Sequence, residues 1–98
     1  MKIQVTQEDI DRGHRGLEFS CPVAGAITRA VKGLYACSVT NDRILLFHTP
    51  NFTIKTWIPN VPNSVKNFTE AFDVAVTLEQ LKALQPFEFE LDYEENNE

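Results

Sequence analysis

The segment SCPVAGAITRAVKG, residues 20–33, decides the fold. Its apolar residues recur at the spacing of a helix with one buried face, namely at Val23, Ala26, Ile27, Ala30 and Val31. Ser20 is a favourable N-cap, and Pro22 suits the first turn, where its missing N–H costs nothing. Gly33 is a natural stop. The segment therefore predicts a helix from about Cys21 to Lys32 that packs on a core by one face.

Strand patterns flank this helix on both sides. Before it, KIQV (2–5) alternates as a strand does, and Thr6 with Asp9 forms a capping box for a helical turn that stops at Gly13. After it, LYACSVT and RILLFHT surround Asn41-Asp42, which predicts a β-hairpin. NFTIKTWIP (51–59), bracketed by prolines, is typical of a third strand.

The last third of the chain predicts two helices and a closing strand. Apolar spacing indicates a helix from about Asn63 to Asp73, and a second capping box, Thr77 with Gln80, begins a short one. PFEFEL (86–91) alternates apolar and acidic residues, as a half-exposed strand does.

The order of these elements predicts an α+β fold. We expect an antiparallel sheet of about four to five strands with two to three helices packed on one face. The 98 residues are enough for one domain, and we assign residues 1–92 to it and residues 93–98 to a frayed acidic tail.

Charge and hydropathy exclude several classes of function. The net charge is −5, but six of the 14 acidic residues lie from Glu88 onward with no base among them, so residues 1–87 hold eight acids and nine bases. A nearly neutral body argues against direct nucleic-acid binding, which needs a clustered basic surface. No apolar run has the length of a membrane span or the character of a signal peptide, so we expect no membrane partner and a cytoplasmic location.

The possible metal ligands are too dispersed to predict a metal site. His14, Cys21, Cys37 and His48 are separated by 7, 16 and 11 positions, without the close Cys or His pairs of zinc sites. We therefore expect no metal and no cofactor.

The stretch before the central helix offers two kinds of site. Arg12, His14 and Arg15 precede a helix that begins at Ser20 and Cys21, and free N–H groups at a helix start can bind a phosphate or carboxylate. The competing interpretation pairs these arginines with the nearby Asp9, Asp11 and Glu18. Cys21 could be a thiolate nucleophile with His14 as its base, but a packed thiol is the more common role of a lone cysteine.

Two other groups are candidates for protein binding. Tyr35 and Trp57 belong to the residue types that anchor interfaces, although core packing is the more common role for both. Glu88, Glu90 and Asp92 form an acidic strand face that could attract a basic partner or could merely be solvated.

The chain also resembles a group of short proteins encoded by bacteriophages and prophages. The resemblance lies in VTQEDIDRGHRG, CPVAGAITRAV, PNSVKNFTEAFD and the closing PFEFELD, and VAVTLEQLKAL (74–84) is an addition to that pattern. It implies a small accessory protein made in the cytoplasm of an infected host. Such proteins often bind and block a host component, including defence factors.

These observations lead to one main hypothesis and two alternatives. The main one is a non-enzymatic binding protein of phage type that blocks a host protein, with a homo-oligomer as one form it could take. The first alternative is a module that sequesters a small anionic or nucleotide-like ligand with Arg12, His14, Arg15, Ser20 and Cys21. A thiol enzyme that uses Cys21 ranks third.

Overall fold

The fold is described by a computed structural model that covers residues 1–14, 17–40 and 42–93. These ranges contain five strands and four helices, so the α+β class is confirmed. In chain order they are β1 (Lys2–Val5), α1 (Gln7–Arg12), α2 (Pro22–Ala30), β2 (Ala36–Val39), β3 (Ile44–Phe47), β4 (Lys55–Ile58), α3 (Asn63–Val74), α4 (Leu78–Lys82) and β5 (Phe87–Glu90).

The strands are divided between two antiparallel sheets. β1 pairs with β5, with Ile3 opposite Phe89, and this pair joins the two ends of the described chain. β2, β3 and β4 form a second sheet in that order. Helix α2 packs against both β1 and β2, so it links the two sheets. The sequence patterns define each strand but not its partner, which is why they do not reveal this division.

The core is built around α2. Val23, Ala24, Ala26 and Ile27 are almost completely inaccessible to solvent. They lie in one cluster with residues of both sheets, including Ile3 and Leu46. Burial of this apolar surface is the main favourable contribution to folding.

The beginning and the end of α2 differ from the prediction. Cys21, not Ser20, is the N-cap: its backbone is extended and its sulfur accepts a hydrogen bond from Ala24 N at 3.5 Å. Because Pro22 occupies the first helical position, the cap falls on the residue directly before it. The helix also ends at Ala30 instead of Lys32, and Ala30 is exposed, whereas Gly33 takes φ +74° in the turn that follows.

The predictions that rest on local patterns hold best. Thr6 with Asp9 and Thr77 with Gln80 both form capping boxes. Helix α3 matches the predicted range within one residue, and β5 buries Phe89 while its glutamates are exposed. β4 is shorter than the predicted strand 51–59, because residues 49–52 form a turn instead. Asn41 and most of the predicted tail, residues 94–98, lie outside the described residues, whereas Tyr93 packs against the core.

Candidate functional site

Three of the predicted anion-binding residues line one cavity beside the start of α2. Arg12, Ser20 and Cys21 surround a space of about 280 Å³, together with Arg29 from the last turn of α2. His14 is exposed, and its backbone N–H donates to Ser20 O at 2.8 Å, which closes the loop. Arg15 lies outside the described residues. Arg29 was missed by sequence analysis, since no local pattern places it beside Arg12.

Both guanidinium groups at this cavity have carboxylate partners. Arg12 Nη2 lies 2.8 Å from Glu8 Oε1, one turn earlier in α1, where both side chains are exposed. Arg29 Nη2 donates to Asp9 Oδ2 at 2.9 Å and to Gln4 O at 3.0 Å. Arg12 is therefore paired locally, but with Glu8 rather than with the predicted acids, whereas Arg29 meets Asp9 from 20 positions away in the sequence. A bound anion would have to compete with Glu8 and Asp9.

The thiol of Cys21 is buried in a non-reactive setting. Burial raises the pKa of Cys21 and outweighs the backbone hydrogen bonds of Ala24 and Val23, which lower it, while the negative charge of Asp73 adds a smaller increase. The second cysteine, Cys37, is also buried, and its pKa is raised for the same main reason. Because the thiolate is the nucleophilic form, both thiols are poorly suited to nucleophilic attack.

A second cavity, of about 330 Å³, lies on the other side of the α2 start. Its polar walls include Glu18, Thr69 and Asp73. Thr69 is 5% exposed, and its hydroxyl is buried without a hydrogen-bond partner among the described residues. Glu18 Oε2 accepts from Ser38 Oγ at 2.7 Å. The two carboxylates make this side of the helix start unfavourable for an anion.

An exposed group of aromatic rings covers part of the second sheet. We call it the aromatic patch: its exposed members are Phe19, Tyr35 and Phe52, and its fourth member, Phe47 of β3, is buried against Phe19 and Phe52. Ring centroids within it are 4.5 to 5.9 Å apart, with Phe52 in contact with each of the other three. Phe19, Tyr35 and Phe52 are 45%, 53% and 41% exposed. Of these rings only Tyr35 is an interface candidate from the sequence, which does not show that Phe19 and Phe52, from distant parts of the chain, lie beside each other.

The loop that presents Phe52 is held by the side chain of Asn51. Its Oδ1 accepts from Thr49 Oγ1 at 2.8 Å, from Thr53 Oγ1 at 2.7 Å and from Thr53 N at 3.2 Å. Phe52 itself has φ +60°, a conformation that costs a non-glycine residue about 1 kcal/mol. The surrounding hydrogen bonds keep the ring in this position.

Trp57 lies on the same side of the second sheet. Alternation along β3 and β4 puts Phe47, Lys55 and Trp57 on the face away from the core, since Ile44, Leu46 and Ile58 face inward. Trp57 is 61% exposed, and the Arg43 guanidinium lies 5.9 Å from its ring centroid. Tyr35 contacts Phe52, and Phe52 contacts Phe47, which lies on the same face of the second sheet as Trp57. The structure thus brings Tyr35 and Trp57 to one face of this sheet.

The predicted acidic residues belong to the other sheet. Glu88 and Glu90 are exposed on β5, opposite Gln4 and Lys2 of β1. The N-terminal amine lies 3.2 Å from Glu90 Oε2, so part of the negative charge is balanced locally. Asp92 follows the strand and is exposed. These acids therefore belong to a different sheet from the one that carries Tyr35 and Trp57.

The remaining checks concern metals and membranes. In residues 1–14, 17–40 and 42–93, no three His, Cys, Asp or Glu side chains converge closely enough to bind a metal ion. None of the helices in those ranges is both long enough and apolar enough to cross a membrane.

Comparison with known proteins places the chain in no group. No protein-family model, curated protein or solved structure matches it. The location of a binding site therefore has to be inferred from the geometry of the aromatic patch and of the two cavities at the start of α2.

Proposed function

We propose that this chain is a non-enzymatic protein-binding module whose contact surface is the aromatic patch. The observation that carries the proposal is the exposure of Phe19, Tyr35 and Phe52 in one connected group of rings. Single exposed apolar residues are normal on a protein surface, whereas a connected group is a feature of interaction sites. Large aromatic side chains also dominate binding energy at interfaces.

Two further features support binding over catalysis. The hydrogen bonds of Asn51 hold Phe52 in place before any partner arrives, which reduces the entropy lost on binding. Both cysteines are buried with raised pKa values, so the best candidate nucleophile of the sequence is poorly placed to react.

The partner class comes from the resemblance to bacteriophage proteins. On that basis the chain is an accessory protein that acts in the cytoplasm of an infected host, where it binds and blocks a host protein such as a defence factor. The exposed acids of β5 (Glu88, Glu90) and Asp92 form a separate surface that could contact the basic side of such a partner.

Affinity capture with matched variants tests this proposal. The tagged chain should retain a stoichiometric partner from a host lysate, and Phe52→Ser or Tyr35→Ser should reduce the retained amount at least about tenfold, as expected for interface aromatics. Val76→Ser is the control, because Val76 is exposed but lies near α4, outside the aromatic patch. Thermal unfolding should show that all variants are folded. Equal retention by wild type and both patch variants would refute the aromatic patch as the contact surface.

The cavity beside the start of α2 favours a second candidate function. Arg12, Arg29 and Ser20 converge there, so it could hold a small anion or a nucleotide-like ligand if the ion pairs with Glu8 and Asp9 rearrange. Inorganic phosphate and nucleoside phosphates should then raise the melting temperature, and Arg12→Ala should abolish the increase. Lys66→Ala, an exposed cation on α3, is the control. The absence of any shift across such a panel would exclude this function.

A further inference from the structure

The outer edge of β4 is open in the described part of the chain. β4 is the last strand of the second sheet, and within the described residues only β3 pairs with it. Trp57 in β4 is 61% exposed, and Ile54, directly before the strand, is 59% exposed. Lys55 and Pro59 are exposed as well. An open edge presents unpaired peptide groups, and proteins usually protect such edges with proline, charge or a bulge. Between Lys55 and Ile58 the only such feature is the charge of Lys55.

The hydrogen-bond pattern shows which peptide groups face outward. His48 N donates to Ile54 O at 2.8 Å, so these two residues form a hydrogen-bonded pair. Such pairs alternate with non-hydrogen-bonded pairs in an antiparallel ladder, so Thr56, opposite Leu46, and Ile58, opposite Ile44, also face β3. The N–H and C=O groups of Lys55 and Trp57 therefore point to the open edge.

We propose that a second copy of this chain pairs with this edge, β4 against β4 in antiparallel orientation, with Thr56 opposite the partner's Thr56. In this register Lys55 lies opposite the partner's Trp57, and Trp57 lies opposite the partner's Lys55. Both are pairs of outward-facing residues, so each pair can exchange two N–H···O bonds. The second sheet becomes one continuous six-stranded sheet.

The side chains of β4 are complementary to themselves in this register. A lysine beside an aromatic ring on each side of the two-fold axis gives two cation–π contacts, to a Trp57 ring that Arg43 of its own chain also approaches at 5.9 Å, and no like charges lie directly opposite each other along the paired strands. Ile54 lies opposite the partner's Ile58 on the inner face, where it extends the apolar core of the partner. Two neighbouring registers also keep inward-facing side chains opposite inward-facing ones, but both are less favourable than the register with Thr56 opposite Thr56. One places Lys55 opposite the partner's Lys55, and the other places it opposite the partner's Pro59, which has no N–H.

Pairing in this way also affects the aromatic patch. The two-fold axis of an antiparallel strand pair is perpendicular to the sheet, so the outer faces of both copies lie on the same side. Each dimer would present two aromatic patches on one surface. The pairing itself involves few residues, so we expect a weak dimer that dissociates on dilution.

Sedimentation equilibrium of the full chain, from micromolar to millimolar concentration, tests the proposal. We expect a monomer–dimer equilibrium, with a concentration-dependent change in the fluorescence of Trp57, the one tryptophan of the sequence. Trp57→Lys should raise the dissociation constant roughly tenfold or more, because it creates two Lys–Lys pairs. The double variant Lys55→Trp, Trp57→Lys restores two Lys–Trp pairs and should recover most of the affinity. Recovery is specific to this register, because in the neighbouring registers the double variant does not place Lys beside Trp.

Two controls keep the test decisive. Lys55→Pro removes outward-facing donors while the bonds from Thr56 and Ile58 to β3 remain, so it should abolish dimers and leave the fold intact by circular dichroism. Tyr35→Lys changes the aromatic patch away from the edge and should leave the dissociation constant unchanged. A chain that is monomeric at millimolar concentration would overturn the proposal and leave the edge to a strand of another protein. Dimers that resist Lys55→Pro, or that are lost in Tyr35→Lys, would also overturn it.

Discussion

Two glycines near α2 have different reasons to be glycine. A Cβ at Gly13 would lie 2.5 Å from Cδ and 2.9 Å from N of Pro22, which are parts of a rigid ring. A Cβ at Gly25 would meet nothing closer than Asp9 Oδ1, at 3.9 Å. Gly13 therefore permits the close approach of the loop to the start of α2, whereas Gly25 only lowers the stability of the helix in which it lies.

These surroundings predict opposite effects for the same substitution. Gly25→Ala should raise the free energy of unfolding by about 0.5–1 kcal/mol, because alanine is the better helix former. Gly13→Ala should lower it by about 1–3 kcal/mol, since the loop or Pro22 must shift. Urea unfolding of the two variants provides the measurement. If Gly13→Ala were neutral, the close contact between Gly13 and Pro22 would not exist in solution.

Asp9 combines two structural roles in one carboxylate. It caps α1 through Thr6 N at 2.8 Å and Thr6 Oγ1 at 3.0 Å, and it binds Arg29 of α2. Burial by itself raises the pKa of Asp9, but the hydrogen bonds from Arg29 and Thr6 outweigh it, so the pKa lies below its ordinary value. A carboxyl group with a lowered pKa in the folded state stabilises the fold above its unfolded pKa, and this contribution is lost as pH falls.

Asp9→Asn should therefore have an effect that depends on pH. At pH 7 the variant should be less stable than wild type by about 1–2 kcal/mol, a modest value because Arg29 is half exposed. The difference should shrink as pH falls below about 4, the region of the unfolded pKa, where wild type loses the contribution too. Denaturant unfolding at neutral and acidic pH measures both values. A difference that stayed constant with pH would show that the charge of Asp9 contributes nothing.

At the scale of elements, the outcome of sequence analysis depends on how far apart the interacting residues are. Both capping boxes join residues three positions apart, and both were predicted correctly. For α2 the pattern predicts Ser20 as the cap, because serine is the commoner cap, whereas the cap is Cys21, whose sulfur accepts the hydrogen bond.

Long-range contacts account for what the sequence did not reveal. Phe19 and Phe52 stack with centroids 5.9 Å apart, although they are far apart in the chain. Arg29 meets Asp9 through the packing of α2 on α1. The position of Phe52 depends on Asn51, whose hydrogen bonds compete with the strand that the pattern NFTIKTWIP predicts. The periodicity of apolar residues describes single helices and strands, and it contains no information about contacts between residues that are far apart in the chain.

The loop from Thr49 to Ile54 gives a prediction at this scale. Asn51→Ala removes the shared acceptor of three hydrogen bonds, so Phe52 should lose its fixed left-handed conformation. We expect faster amide exchange in residues 51–54, weaker capture of a partner by the aromatic patch, and a loss of about 1 kcal/mol in the free energy of unfolding. Hydrogen exchange read by mass spectrometry checks the first effect. Asn67→Ala, an exposed asparagine on α3, is the control and should match wild type.

For the whole molecule, helix α2 contacts both sheets. α2 packs on β1 of one sheet and on β2 of the other, and its buried residues are small or branched, so each contacts its neighbours closely. A second connection between the two sheets lies at the start of β1. There the N-terminal amine donates to Tyr93 O at 3.4 Å, and the Tyr93 ring lies 6.4 Å from that of His48, which follows β3. These contacts are peripheral, so the coupling of the sheets should depend mainly on α2.

Ile27→Ala tests whether both sheets unfold together. Ile27 is completely buried, and loss of three methyl or methylene groups should lower the free energy of unfolding by about 2–4 kcal/mol. Because α2 contacts both sheets, protection from amide exchange should fall by the same factor in β1 and β5 as in β2 and β3. Val76→Ala removes a similar amount of side chain from an exposed position and should leave exchange unchanged. Reduced protection in one sheet alone would mean that the sheets are separate cooperative units, with α2 belonging to only one of them.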